Sequence, residues 1–250
     1  MSRRLALPCL LAVSALAGCA SMPPGDLARG DPWERVNRQT FAFNEAVDQV
    51  AVKPAAELYQ AVVPSVVRKG VDNVFGNVGD AWTTINLFLQ AKPVAGVKMG
   101  MRTATNTVLG VGGVFDVAEE AGLERFTSED LGQTFGYWGI KSGPYLVLPL
   151  LGPSTLRDTA ARLLEVNDAP ISRVWDHRRD YYPAAALQLL STRANLLNAG
   201  RVFDQIALDK YVLLRDAYLS RRRSQIYDGE PPEDGSDAPR PYQQKPVLPW

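Results

Sequence analysis

Apolar residues recur at helical spacings along most of the chain after residue 30, and the points where this pattern starts and stops predict the helices. The first predicted helix covers residues 31–50, because Asp31 suits an N-cap and Pro32 suits the first helical position. The other predicted helices cover residues 56–63, 80–92, 93–116, 154–165, 183–200 and 201–227. The pair that meets at Pro93 is expected to form a helical hairpin. Since no paired strand signals occur, the pattern predicts an all-α fold.

One uncharged stretch interrupts this pattern. No charge occurs between Lys141 and Arg157, and residues 145–151 are almost wholly apolar. A membrane-crossing helix needs about 20 apolar residues, and this run is shorter, is interrupted by Pro149 and is flanked by Gly-Pro pairs. Two interpretations remain open: a buried strand or core-crossing loop of a soluble domain, or a loop that dips into a bilayer.

The N-terminus has the three parts of an export signal, namely two arginines, an apolar run and a short cleavage region. The tetrad LAGC at residues 16–19 resembles a bacterial lipobox, whose cysteine is acylated and becomes the first residue of the mature chain. An ordinary signal peptide with a chance cysteine is the alternative. We expect a signal peptide over residues 1–18, lipidation at Cys19 and a tether over residues 19–30. Because Ala20 rather than aspartate follows the cysteine, the lipobox implies delivery to the outer membrane, where several acyl chains make a durable anchor.

Composition narrows the chemistry further. The cysteines are Cys9 and Cys19, so the processed chain would have no disulfide and no thiol nucleophile. Removing residues 1–18 takes away two of the 27 basic residues and leaves 25 against 27 acidic ones, a net charge of −2. Nucleic-acid binding, which favours a strongly basic face, is therefore not expected. The polar, proline-rich residues 228–250 are predicted to be a disordered tail.

Few residues of the sequence are candidates for catalysis. His177 is a single histidine among charged neighbours, which is typical of a surface residue. No GxSxG motif occurs, and Ser142 has the wrong spacing for a nucleophile elbow. A zinc site would need more histidines or thiols. The sequence therefore predicts a protein that is not an enzyme, with no metal site and no cofactor.

Arg157 and Asp158 are adjacent charges at the end of the apolar stretch. They fit a helix start, with an acid matched to the helix dipole and a solvated arginine. They also fit a charged pair at the mouth of an apolar passage, with Arg157 steering phosphate.

Four segments carry a family resemblance: DPWERVNRQTFAFN, NLFLQAKPVAG, TVLGVGGVFDVA and EDLGQTFGYWGIKSGPYLVLPLLGPSTLRD. They resemble the MlaA (VacJ) family of Gram-negative outer-membrane lipoproteins, and the likeness spans residues 31–227. The resemblance implies a single ring-like helical domain with amphipathic helices and a central channel, held in the periplasmic leaflet beside trimeric porins. It also implies that the protein extracts mislocalised phospholipids from the outer leaflet and passes them to the periplasmic carrier MlaC, which preserves lipid asymmetry. A periplasm-facing lipid hydrolase and a passive structural lipoprotein are the alternatives.

The resemblance also suggests site residues. Those expected along the lipid path are Phe43, Asn44, Gln133, Tyr145, Arg157 and Asp158. Those expected to contact the membrane are Trp82, Phe88, Trp138, Leu146 and Leu148.

Overall fold

The computed structural model of the protein describes residues 31–125, 127–168 and 178–232. This part of the chain is mostly helical, as predicted, with one small β-hairpin among its described elements. The helices are α1 (Glu34–Val47), α2 (Lys53–Val62), α3 (Ser65–Leu89), α4 (Pro93–Val108), α5 (Val117–Glu120), α6 (Leu131–Tyr137), α7 (Leu156–Asp168), α8 (Arg178–Asn195), α9 (Leu197–Ile206) and α10 (Lys210–Ile226). The strands β1 (Tyr145–Leu148) and β2 (Gly152–Thr155) lie between α6 and α7. The signal peptide, Cys19, the tether, His177 and the tail from residue 233 lie outside the described residues.

The uncharged stretch forms this antiparallel hairpin, with Tyr145 opposite Thr155 and Leu148 opposite Gly152. Its tight turn places Gly152 at φ 76°, a left-handed conformation that glycine adopts without steric cost. Tyr145 and Val147 point inward and are buried, whereas Leu150 at the turn is 65% exposed. The stretch is therefore a strand buried on one face that ends in an exposed apolar tip.

The first two helices are joined more closely than predicted. The N-cap prediction for Asp31 is wrong, since α1 begins at Glu34 and the buried Asp31 carboxylate instead accepts a hydrogen bond from Asn37 Nδ2 at 2.8 Å. The gap predicted between residues 50 and 56 is also wrong, because the chain stays helical through Pro54. A π-helical turn, Asp48–Val52, joins α1 to α2. Such a wider turn accommodates proline, which has no backbone N–H to donate.

Later boundaries also differ from the predictions. Asp80 was expected to start a helix but lies inside the 25-residue α3, with 2% of its surface exposed. Pro183 was expected at a first helical position but lies inside α8. The segment 201–227 is two helices, because Asp209 accepts a hydrogen bond from the Val212 N–H at 3.1 Å and caps a new helix, α10.

The predicted helical hairpin is present as α3 packed against α4. Its interior, however, is mainly polar. The buried residues of the two helices are Asn77, Asp80, Thr83, Asn86, Leu87, Gly96, Met99, Arg102 and Asn106. Large apolar side chains on their other faces are exposed: Ile85, Phe88, Leu89, Val94, Val97, Met101 and Val108. This is the reverse of the arrangement that water imposes on a protein surface.

The same inversion holds across the described residues. Eighteen polar or charged residues are buried against eleven hydrophobic ones, so polar contacts rather than an apolar core fill much of the interior. The apolar core that does exist joins Tyr145 and Val147 of β1 to Tyr211 of α10. The β-hairpin is thus packed between α1 and α10.

Candidate functional site

Two asparagine side chains of α1, seven residues apart, bind the β-hairpin to this helix. Asn37 Nδ2 donates to the Tyr145 carbonyl at 3.0 Å, and its Oδ1 accepts from the Val147 N–H at 2.9 Å. Asn44 Nδ2 likewise donates to the Leu148 carbonyl at 2.9 Å, and its Oδ1 accepts from the Leu150 N–H at 2.8 Å. Each amide therefore substitutes for a peptide group of a neighbouring strand along the free edge of β1.

Tyr145, expected along the lipid path, is fully buried behind this edge. Its ring packs edge-on against Tyr211, whose hydroxyl donates to the Asp31 carboxylate. Arg215 Nη1 lies 3.5 Å from the same carboxylate. Burial, followed by the nearby charge of Asp31, raises the pKa of Tyr145, so its phenol stays neutral. The Tyr145 hydroxyl has no hydrogen-bond partner within the described ranges.

A buried cluster of charges joins α6, α7 and α10. Asp158 Oδ1 lies 2.9 Å from Arg157 Nη2 and 3.0 Å from Arg222 Nη2. Arg222 Nη1 also reaches Asp130 Oδ2 at 2.6 Å, and the Tyr218 hydroxyl donates to Asp158 Oδ2 at 2.7 Å. The interpretation of Arg157 as a solvated arginine is wrong, since only 6% of its surface is exposed and its charge is paired.

This pairing fixes the ionisation of the cluster. Burial alone would raise the pKa of Asp158, but the hydrogen bond and charge of Arg222 outweigh it and lower that pKa to about 2. Burial also acts to raise the pKa of Asp130, and Arg222 again outweighs it, so this pKa is lowered. Both carboxylates are therefore ionised at physiological pH.

Two glycines of the LGQTFG segment let α6 approach this cluster. A Cβ atom on Gly132 would lie 2.6 Å from Asp158 Oδ1 and 2.8 Å from Arg222 Nη2. A Cβ atom on Gly136 would lie 2.7 Å from Arg157 Nη1. Any larger residue would therefore push the charged groups apart.

Gln133, also expected along the lipid path, lies beside this contact and shapes the start of α6. Its N–H donates to Asp130 Oδ1 at 2.8 Å, the hydrogen bond of an N-cap. Its Nε2 donates to the Ser128 carbonyl at 2.8 Å. The Gln133 side chain thus holds the segment that leads into α6.

A pocket of about 190 Å³ opens next to the charge cluster. It lies between the end of α6, the segment that follows it, the β2–α7 corner and one face of α10. Its lining residues are Gly136, Gly139, Ile140, Lys141, Ser142, Thr155, Arg157, Leu219, Arg222, Arg223, Ile226 and Tyr227. Of the expected path residues, Arg157 lines this pocket and Asp158 lies behind it, paired with Arg157. Asn44 and Tyr145 lie at the β-hairpin, and Gln133 lies at the start of α6. Phe43, which is 52% exposed, lies on the outer side of α1.

The residues expected to contact the membrane are not equally exposed. Trp138 is 61% exposed and Phe88 49%, and the Trp138 indole N–H donates to the Leu89 carbonyl at 3.0 Å. Trp82 is half-buried and donates to Glu165 Oε1 at 3.0 Å. Leu146 and Leu148 are half-buried on the hairpin.

Sequence reasoning missed a second charge cluster between α3 and α4. Asp80 accepts from Arg102 Nε at 3.0 Å and from Arg125 Nε at 2.7 Å, and Arg102 also donates to Asp116. Asp80 and Arg102 are each 2% exposed. The available signal was their spacing, since Asp80 falls on the Asn77–Thr83 face of α3 and Arg102 on the Met99–Asn106 face of α4.

Two features are absent from the described residues. Within residues 31–125, 127–168 and 178–232, no group of three or more His, Cys, Asp or Glu side chains is placed to hold a metal ion. None of the helices in these ranges is long and apolar enough to cross a membrane.

A helical protein that pairs its charges inside and exposes aliphatic and aromatic side chains has the arrangement expected of proteins that contact lipid. Comparison with known proteins identifies the family within this class. The family model described as MlaA lipoprotein matches residues 29–225, and the chain belongs to this family.

Individual relatives agree. The chain is 34% identical over 215 residues to proteins of Shigella flexneri and Escherichia coli K12 named "Intermembrane phospholipid transport system lipoprotein MlaA", with 84% of each chain covered. A protein of the same name from Haemophilus influenzae is 27% identical over 245 residues. A solved structure described as "Structural basis for maintenance of bacterial outer membrane lipid asymmetry" superimposes with a TM-score of 0.70 at 30% identity, covering 80% of this chain and 99% of that one.

Proposed function

We propose that this protein is an outer-membrane lipoprotein that removes mislocalised phospholipids from the outer leaflet and thereby maintains lipid asymmetry. In this proposal it is anchored at Cys19 in the inner leaflet and faces the periplasm. Phospholipids pass through an amphipathic channel to the periplasmic carrier MlaC, next to a trimeric porin. Family membership and the names of the relatives support the transport role.

The observation that carries the proposal is the inverted α3–α4 hairpin. A phospholipid joins a charged headgroup to apolar chains, and moving the headgroup through hydrocarbon without polar partners has a large desolvation cost. Helices with apolar exterior faces can lie against acyl chains while their polar faces turn away from the hydrocarbon. A channel wall that separates a headgroup from hydrocarbon needs this arrangement. No chemical step is needed, so the protein acts as a conduit rather than as an enzyme.

Site-specific photo-crosslinking tests the orientation of this hairpin. A photoreactive amino acid at Phe88 or Met101, both exposed apolar positions, is expected to capture phospholipid in cells. The same probe at Ser220, an exposed polar position on α10, serves as the control. Equal lipid capture at all three positions, or none at the first two, would contradict the proposed orientation.

Transport itself is tested in a strain that lacks the protein. Loss should raise phospholipid in the outer leaflet, measured as lipid A palmitoylation and as sensitivity to detergent with a chelator. The wild-type chain should restore both values. Unchanged asymmetry in the deletion strain would refute the proposed function.

A further inference from the structure

The pocket beside the charge cluster has an unusual balance of charge. Four of its lining side chains are cationic, namely Lys141, Arg157, Arg222 and Arg223, and no acidic side chain lines it. Arg157 and Arg222 are paired with Asp158 and Asp130, which lie behind the wall. Two further positive charges face the pocket without a carboxylate partner among the described residues.

Those two side chains have unused donors. Lys141 is exposed and forms no hydrogen bond or ion pair with the part of the chain that the structure describes. Arg223 Nη2 donates to the Pro232 carbonyl at 2.7 Å, while its buried Nε has no partner in the same ranges. A buried guanidinium N–H without an acceptor is costly, so an anionic acceptor at this place would be stabilising.

The paired arginines are held in fixed positions. Asp158 accepts from Arg157 at both Nε (3.0 Å) and Nη2 (2.9 Å), and Arg222 bridges Asp158 and Asp130. Because these contacts already restrict the two side chains, binding a ligand would cost little additional conformational entropy of the arginines. Arg157 Nη1 lies against Gly136 of α6 and donates to the Ile140 carbonyl at 3.3 Å.

The rest of the lining indicates which anion fits. Ile140, Leu219 and Ile226 provide an apolar flank beside the cationic wall. Phosphate offers several oxygen acceptors to guanidinium and ammonium groups, and arginine binds it with two parallel hydrogen bonds. An apolar flank would add nothing for a free phosphate ion but suits the glycerol and first methylenes of a lipid. We propose that this pocket binds the headgroup phosphate of a phospholipid. The choice of a lipid rests on the proposed function.

A charge-matched pair of double variants tests the pocket. In K141Q/R223Q both unpaired cations are removed, whereas neither ion-paired arginine is touched. In the control K69Q/R221Q two exposed cations outside the pocket are removed, so the net charge changes equally. Both purified full-length variants should give the wild-type circular dichroism spectrum and unfolding midpoint.

Binding is measured by calorimetry in neutral detergent with three probes: dihexanoyl phosphatidylglycerol, dihexanoylglycerol and inorganic phosphate. The lipid with phosphate should bind the wild type and the control, and K141Q/R223Q should bind it at least about tenfold more weakly, since two charge-assisted contacts are lost. Dihexanoylglycerol should not bind at this site. Equal affinity of both double variants for the phospholipid would overturn the proposal. Inorganic phosphate that binds as tightly as the phospholipid would overturn the assignment to a lipid.

The two proposals fail in different ways. If the wild-type chain does not restore lipid asymmetry in the deletion strain, the proposed function fails. If the wild type and both double variants restore it alike and bind the probe alike, only the pocket assignment fails.

Discussion

Gly132→Ala is the most direct probe of how tightly α6 packs against the buried charges. The new Cβ would lie 2.6 Å from Asp158 Oδ1, so an ordinary contact of 3.4 Å requires a shift of about 0.8 Å. Asp158 Oδ1 cannot move freely, because Arg157 and Arg222 bind it at 2.9–3.0 Å. A shift of this size in the wrong direction lengthens at least one of these bonds beyond the range of a hydrogen bond.

The magnitude follows from two opposing effects. Loss of one charge-assisted hydrogen bond costs about 1.5–3 kcal/mol. Replacing glycine by alanine in a helix returns up to about 1 kcal/mol through its higher helix propensity. With the full gain subtracted, the unfolding free energy of Gly132→Ala should therefore fall by about 0.5–2 kcal/mol. Gly79→Ala is the matched control, because Gly79 is helical and exposed and its Cβ would meet nothing within 4 Å. That variant should instead gain about 0.5–1 kcal/mol.

Urea denaturation of the full-length protein in mild detergent, followed by far-ultraviolet circular dichroism, measures both values. The slopes of the transitions should match the wild type, so that the midpoints report stability. If Gly132→Ala proves as stable as Gly79→Ala, then α6 does not rely on glycine to approach the cluster, and the close packing described above is incorrect.

Three further predictions concern other parts of the molecule. Burial acts to raise the pKa of Asp158, but Arg222 outweighs it and lowers that pKa from 3.8 to about 2. The ionised carboxylate therefore stabilises the folded state above pH 3.8, and this stabilisation is lost as the pH falls towards 2. Asp158→Asn should flatten the decline of unfolding free energy between pH 4 and pH 2. Asn37→Ala should cost about 1–3 kcal/mol, because it leaves buried backbone groups of β1 unpaired, and hydrogen exchange at the Val147 amide should accelerate; unchanged exchange there would show that the side chain does not hold the strand. Cys19→Ala should leave the chain unlipidated and outside the outer-membrane fraction, and normal fractionation would show that the N-terminal motif was misinterpreted.

The helices were predictable because their apolar stripes and proline or glycine boundaries are local signals. The turn at Pro93, for example, lies where the sequence places it, and α4 begins at Pro93. The errors occur where a tertiary contact replaces a local one. Asp80 has the character of an N-cap, but two arginines that follow later in the chain bind its carboxylate, and the helix continues through it.

The sides of the helices could not be predicted in the same way. A stripe such as Ile85, Phe88 and Leu89 has the same periodicity whether it faces a core or the outside. Only the placement of the opposite face decides. That placement depends on partners distant in sequence, such as Arg102, which binds Asp80, and Glu129, whose N–H donates to Thr83 Oγ1 at 3.1 Å. Likewise Arg222 resembles an ordinary basic residue at the end of a helix, whereas the structure pairs it with carboxylates 64 and 92 residues away.

The polar interior and the apolar exterior have one physical explanation if the exterior lies in lipid, as we propose. In water, exposed side chains such as Phe88 would favour collapse, and the buried charges would be a net cost. Against acyl chains the hydrophobic effect no longer distinguishes inside from outside, so helices associate through close packing and polar contacts. Gly132 and Gly136 supply the close packing at the charge cluster, while Asn37 and Asn44 supply the polar contacts at the hairpin. The charge cluster and the cationic pocket then depend on the same residues. The paired arginines that stabilise α6 against α10 also form the wall that a phosphate would meet.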